Sequence, residues 1–128
     1  MKEPEFRPGF RFSPMDGAVL VLGAVGSFVA WRYSPELSIL GGAAVLHFFL
    51  FCNVFRVARI PELVWSGIYV GCACLRVFLH VEWLLIVGIV SASTVLLIRR
   101  ETRKESYHGV LWQWLNPDLR AWWSRQRD

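Results

Sequence analysis

Four apolar stretches, each close to the length of a membrane crossing, alternate with short polar interruptions along this chain. The first, Gly17–Trp31, follows Ser13-Pro14-Met15-Asp16 and ends in Arg32-Tyr33. A capping serine, a proline at the first helical position and an acid in the first turn mark a helix start. A helix is therefore predicted over Pro14–Tyr33. Ser34-Pro35-Glu36 repeats that signal at once and forces a tight reversal. The second helix is predicted from Pro35 to Val57, with Leu37–Phe55 free of formal charge and Arg56 and Arg59 closing it. Pro61-Glu62 opens a third, expected to end at Leu79, whose uncharged stretch Leu63–Leu75 is short and finishes at Arg76. A snorkelling arginine extends such a span to the headgroups. The fourth covers Glu82–Ile98 and runs out into Arg99-Arg100-Glu101-Thr102-Arg103-Lys104. At ~1.5 Å per residue, each helix is long enough to cross, or nearly cross, ~30 Å of hydrocarbon.

The junction Arg76–Glu82 holds neither glycine nor proline. One continuous helix from Pro61 to Ile98 would be roughly 57 Å long, nearly twice that thickness. It would also hold Arg76, His80 and Glu82 near mid-membrane, where ionisable groups are costly. A break is therefore expected, in preference to three spans and one interfacial segment. The predicted fold class is all-α integral membrane, with four transmembrane helices as two antiparallel hairpins. Its parts are an arm over residues 1–13, a helical domain over 14–98 and a basic, Trp-rich tail over 99–128.

Charge decides the orientation. Of 14 Lys and Arg residues only Arg32 and Arg76 fall on one side of that layout, and the other twelve share the opposite side. Cytoplasmic loops are enriched in Lys and Arg, so both termini are expected in the cytoplasm. The first run is read as a retained span. No small-x-small cleavage site closes it, since Phe28 stands two before Ala30 and Trp31 follows. A net charge of +4 is assigned to anchoring and contact with anionic lipid, not to nucleic acid, because no base-reading motif accompanies it. Cys52, Cys72 and Cys74 lie in apolar runs and form no C-x-x-C, and they read as small packing residues.

In the tail, Gly109 is expected to stop the extension of the fourth helix, and Asn116-Pro117-Asp118 to start another. Leu119, Trp122 and Trp123 then recur at helical spacing, and Trp112 and Trp114 precede them. Tryptophan favours the membrane–water interface, which predicts a short interfacial helix on the cytoplasmic face. These five residues are candidate partner contacts. Gly67 and Gly71 join them, as part of small-residue seams that include Gly23/Ser27, Gly26/Ala30, Gly88/Ala92 and Gly41-Gly42-Ala43-Ala44. Small residues let helix backbones approach closely in lipid.

His47, near the middle of the second helix, is the one ionisable side chain expected deep in the bilayer, and such a position is a candidate site. Three roles are open to it. A neutral imidazole hydrogen-bonded across the bundle is the ordinary one. The others are ligation of a haem or chlorophyll-type pigment, flanked by Phe48, Phe49 and Phe51, and a part in proton or substrate handling. Asn53 is expected to bond between helices, and Arg76, His80 and Glu82 to anchor the chain at the outer surface, with a polar cluster among them as the alternative. Asp16, Glu36, Glu62 and Glu82 all sit at predicted helix ends, which leaves no intramembrane acid. No hydrolase, phosphate-loop or metal-spaced motif is present, so the chain is not expected to be an enzyme.

The stretch His47-Phe48-Phe49-Leu50-Phe51-Cys52-Asn53-Val54-Phe55-Arg56, with Pro61-Glu62-Leu63-Val64-Trp65 after it, resembles a family of small, uncharacterised bacterial membrane proteins. Ser106-Tyr107-His108-Gly109-Val110, followed by Asn116-Pro117, resembles that family's carboxyl end. The resemblance implies a bacterial inner-membrane protein and brings no activity and no functional residue. The expected function is a non-catalytic accessory or assembly subunit of a larger membrane complex, such as a respiratory or photosynthetic one. A cofactor-binding or transport protein organised around His47 is the alternative.

Overall fold

A computed structural model describes residues 6–126, and every regular element among them is helical. Lys2 and Arg127, counted above among the basic residues, lie outside the described residues. Helix α1 is Pro14–Trp31, α2 Pro35–Phe49, α3 Arg59–Leu79, α4 Trp83–Thr102, α5 Trp112–Leu115 and α6 Leu119–Arg125. A π-helical turn, Leu50–Val54, continues α2. Four helices are long and apolar enough to cross a membrane, taking α2 with its π turn as one span to Val54.

Both serine starts form as local chemistry dictates. Ser13 Oγ accepts from Asp16 N at 3.3 Å while Asp16 Oδ2 accepts from Ser13 N at 2.6 Å, a reciprocal capping box. Ser34 Oγ accepts from Leu37 N at 3.3 Å. The helix ends differ from expectation. The π turn that continues α2 stops at Val54, short of Val57, because Arg56 takes a left-handed backbone with φ of +49°. α3 likewise ends where His80 adopts φ of +53°. That turn breaks Pro61–Ile98 into two helices without glycine or proline. A left-handed residue other than glycine costs about 1–2 kcal/mol. Here it satisfies orphan carbonyls, since Val57 N donates to Phe51 O at 2.8 Å and Val81 N to Leu75 O at 3.3 Å. α3 starts two residues before Pro61, and α4 continues to Thr102, four residues past Ile98.

α1 meets α2 through small residues. Gly23 lies against Val45, and Ser38 Oγ donates to Ser27 O at 2.6 Å. α3 turns Trp65, Tyr69 and Cys72 inward, and α4 answers with Ile86, Val90 and Thr94 at intervals of one turn. Hydrogen bonds tie the pairs together: Trp65 Nε1 donates to Thr94 Oγ1 at 2.9 Å and Tyr69 OH to Leu40 O at 2.5 Å. Apolar helices in lipid have no hydrophobic drive to associate, so close contacts and interhelical hydrogen bonds of ~0.6 kcal/mol each must hold them.

The polar connections collect at two ends. At one, Arg76 pairs with Glu36 of α2, donates to Val81 O at 2.9 Å and lies over the Trp83 ring at 4.8 Å. Glu36 of α2 is a partner for Arg76 that sequence reading did not name. At the other end residues 6–12, the 55–58 connection and the tail beyond Thr102 form one folded cap.

Candidate functional site

The cap is built on the carboxyl end of α2. A helix end leaves carbonyls without intrahelical partners, and the two chain ends supply them. Arg11 N donates to Asn53 O at 3.0 Å and Val110 N to Val54 O at 2.8 Å. The widened π turn brings Phe51 and Asn53 inward, to 1% and 2% exposure. Asn53 Nδ2 then donates to Arg11 O at 2.8 Å, a bond to the arm and not to another helix. Gly9 N donates to His108 O at 2.8 Å, so arm and tail also bond to each other.

Buried polar side chains hold the tail in place. Glu101 accepts from Ala58 N at 3.3 Å and from Lys104 Nζ at 2.6 Å. Asn116 donates to Glu105 O and Tyr107 O at 2.5 and 3.1 Å, so it ties the tail instead of capping α6. Tyr107 is buried and donates to Val110 O at 2.8 Å. Burial and the Glu101 carboxylate push its hydroxyl up to about 12. Gly109 does not end a helix, because α4 has already stopped at Thr102. A Cβ there would lie 2.5 Å from Phe55 O and 2.7 Å from Tyr107 OH, so only glycine lets the tail approach that closely.

The tryptophan-rich segment divides within this cap. Leu119 is fully buried, and Trp112 and Trp123 pack edge-on against Phe6 at 5.9 and 5.6 Å. Trp122 leans on Trp123 at 6.4 Å. Trp114 is 85% exposed, beside the exposed Leu111 and Leu115, two residues that helical periodicity did not single out. Gly67 and Gly71 face open space, with no atom within 4 Å of a Cβ placed on either. The same holds for Gly26 and Gly88, whereas Gly23 alone of the predicted seams is filled tightly, by Val45.

His47 sits in α2 toward the Val54 end of the span. Its Nδ1 lies 2.8 Å from Ala43 O, which can only accept, so Nδ1 carries a proton and Nε2 is the ring nitrogen left without that bond. The ring stacks on Trp65 at 4.7 Å and 22°, and Trp65 stacks on Tyr69 at 4.9 Å. Phe51 closes the group at 6.0 Å from His47. Sequence reading singled out His47 and missed its partners, although Trp65 and Tyr69 stand one helical turn apart. Phe49 instead faces the arm, in contact with Phe10 and Phe12 at 6.1 Å each. No set of three His, Cys, Asp or Glu able to hold a metal occurs among the described residues.

Outside the bundle, a cavity of about 580 Å³ opens in the cap, lined by Phe6, Arg7, Pro8, Phe10, Arg11, Phe12, Arg56, His108 and Trp123. Arg56 Nη1 donates to Arg7 O at 2.6 Å. Burial, with the neighbouring Arg11 charge, holds the Arg56 guanidinium below its ordinary range. Comparison of the chain with protein-family models, curated proteins and solved structures found no match.

Proposed function

We propose that this chain is a four-span bacterial inner-membrane protein, arranged as two antiparallel hairpins with both termini cytoplasmic, that serves as a non-catalytic accessory or assembly subunit of a larger membrane complex. The observation that carries the reading is the cap. Arm, 55–58 connection and tail are hydrogen-bonded into one body at the end that holds every described Lys and Arg except Arg32 and Arg76. The positive-inside bias assigns that end to the cytoplasm. In this reading α5 and α6 lie at the membrane surface, and Trp114, Leu111 and Leu115 are the exposed docking residues, while Trp112, Leu119, Trp122 and Trp123 shape the surface from beneath. The open glycines Gly67 and Gly71 offer a second contact, helix to helix within the bilayer.

Truncating the tail is a poor test, because Asn116 and Leu119 are buried in the cap. The discriminating variant is Trp114→Ala, which removes an exposed side chain and leaves every described hydrogen bond in place. Aromatic anchors at interfaces are worth ~2 kcal/mol or more. Co-purification from native membranes, read by mass spectrometry, is expected to lose a large partner on Trp114→Ala while the chain's membrane abundance holds. Retention of every partner would refute docking through this surface.

A second reading rests on the His47 Nδ1 contact with Ala43 O, which leaves Nε2 as the ring atom that would ligate a haem or chlorophyll-type pigment. The stacking of Trp65 against the ring, and the hydrogen bonds of Trp65 and Tyr69 to neighbouring helices, favour a packing role. An absorption band of the purified protein that vanishes on His47→Phe would establish ligation instead.

A further inference from the structure

The cap cavity has a composition that packing alone does not explain. Arg11, Arg56 and His108 converge on it beside Arg7, which is already engaged, and no described lining residue is acidic. The Asp16 carboxylate that follows the arm is engaged by Ser13 N and Oγ at 2.6 and 2.7 Å. Arg56 gives one N–H to a backbone carbonyl, and neither its guanidinium nor that of Arg11 forms an ion pair with a carboxylate among the described residues, although the Arg11 charge reaches Asp16 from a distance. The two are close enough for Arg11 to bias Arg56 toward losing its proton. An anion placed between them would reverse that repulsion. Guanidinium groups present planar forks of donors that match phosphate oxygens two at a time. The volume of about 580 Å³ falls in the ~300–1,000 Å³ range of small-ligand sites.

The rest of the lining says where such an anion comes from. Phe10 and Phe12 rest on Phe49, a residue of the membrane-length helix, and each remains 56% exposed. The mouth therefore stands at the level where the α2 span ends, with guanidinium groups within and aromatic surface at the rim. A ligand with a phosphate head and an apolar tail meets both.

We propose that this cavity is a binding site for a phosphate-bearing anion, filled from the bilayer by the headgroup of an anionic phospholipid, with Arg11 and Arg56 as its ligands and Phe10 and Phe12 against the acyl chains. The site rests on the bilayer reading of the four helices and deepens it, from general attraction to anionic lipid to one defined headgroup position.

The test uses the full chain purified in mild detergent, with native mass spectrometry following the binding of short-chain phosphatidylglycerol, short-chain phosphatidylcholine or inorganic phosphate. Phosphatidylglycerol is expected to bind the wild type in preference to phosphatidylcholine. Arg11→Gln keeps the backbone bond to Asn53 and loses only a guanidinium, and it is expected to weaken that binding about ten-fold. Arg56→Gln should do the same, and Arg11→Lys should restore part of the loss. Arg100→Gln, a basic residue at the same end but outside the cavity, should change nothing. Equal binding of the two lipids, wild-type binding by both glutamine variants, or an equal loss on Arg100→Gln would overturn the site. Displacement of the lipid by inorganic phosphate at similar concentration would overturn the bilayer source and leave a soluble phosphate as the occupant. Alkaline extraction of membranes reads the bilayer reading separately, since a chain released by carbonate would fail that reading whatever its lipid preference.

Discussion

Gly109→Ala probes the cap at its tightest point. The added methyl would stand 2.5 Å from Phe55 O, whereas a relaxed carbon–oxygen contact is about 3.3 Å. Phe55 O is backbone and cannot swing aside, so the tail must retreat by about 0.8 Å. The hydrogen bond from Val110 N to Val54 O, now 2.8 Å, would then lengthen to about 3.6 Å, beyond bonding range. Overpacking of this kind costs ~1–3 kcal/mol, and the partly buried Val54 carbonyl left without its donor adds about 1 kcal/mol. Even the low sum, ~2 kcal/mol, corresponds to about a 30-fold change in the opening equilibrium. Hydrogen exchange on the protein in lipid nanodiscs reads that equilibrium at the Val110 and Arg11 amides. Both are expected to exchange faster by about that factor in Gly109→Ala, with the amides of α1 and α4 unaffected. Gly88→Ala, at a position with no neighbour within 4 Å, is the control and should leave the cap as it is. Unchanged protection of Val110 in Gly109→Ala would refute the reasoning that this glycine sets the approach of tail to α2.

Three further outcomes follow from the same geometry. Gly23→Ala would drive a methyl to 2.7 Å from Val45 Cγ2 and is expected to lower thermal stability in detergent by ~1–3 kcal/mol, with Val45→Ala restoring most of it; no rescue would mean that α1 and α2 meet elsewhere. His47→Phe keeps the stack on Trp65 and removes only a bond to its own helix, so membrane abundance should stay at the wild-type level, and a large drop would show a polar role for the imidazole. The Tyr107 hydroxyl, raised to about 12 above an unfolded value of ~10, keeps its full contribution below pH ~10 and loses it as pH climbs toward 12. Tryptic cleavage of the tail should accelerate over that window in the wild type and show no such step in Tyr107→Phe.

The helix starts were legible because they are local. Ser13 and Ser34, each followed by proline and an acid, form their caps with the next three residues. The ends were less legible, since Arg56 and His80 turn left-handed where sequence offers no glycine. What compensates them comes from tertiary contact, in which Val57 N and Val81 N find carbonyls left free by the turn. His47 could be singled out as an ionisable group in an apolar run, but its stack on Trp65 depends on how α2 meets α3. The tail shows the limit most plainly. A stripe of Leu119, Trp122 and Trp123 reads as a membrane-facing surface, yet Phe6 from the opposite end of the sequence covers Trp123, and Leu119 is fully buried. Periodicity carries no information on a contact over that separation. Asn53 and Gly109 were noticed for their types, and their partners in the cap lay beyond local reading for the same reason.

The central claim, that four helices cross the bilayer and return arm, 55–58 connection and tail to the cytoplasm, is tested most directly by cysteine accessibility. Single cysteines at Ala58 and Ser124 in the cap, and at Tyr33 and Glu82 on the opposite connections, would be placed in a chain with Cys52, Cys72 and Cys74 replaced by alanine. All four positions are exposed. With a membrane-impermeant maleimide on intact cells, with the outer membrane made permeable, Tyr33→Cys and Glu82→Cys should label at once, and Ala58→Cys and Ser124→Cys only after the inner membrane is opened. Labelling of Ser124→Cys from outside, or of Tyr33→Cys and Glu82→Cys on opposite sides, would contradict the four-span arrangement.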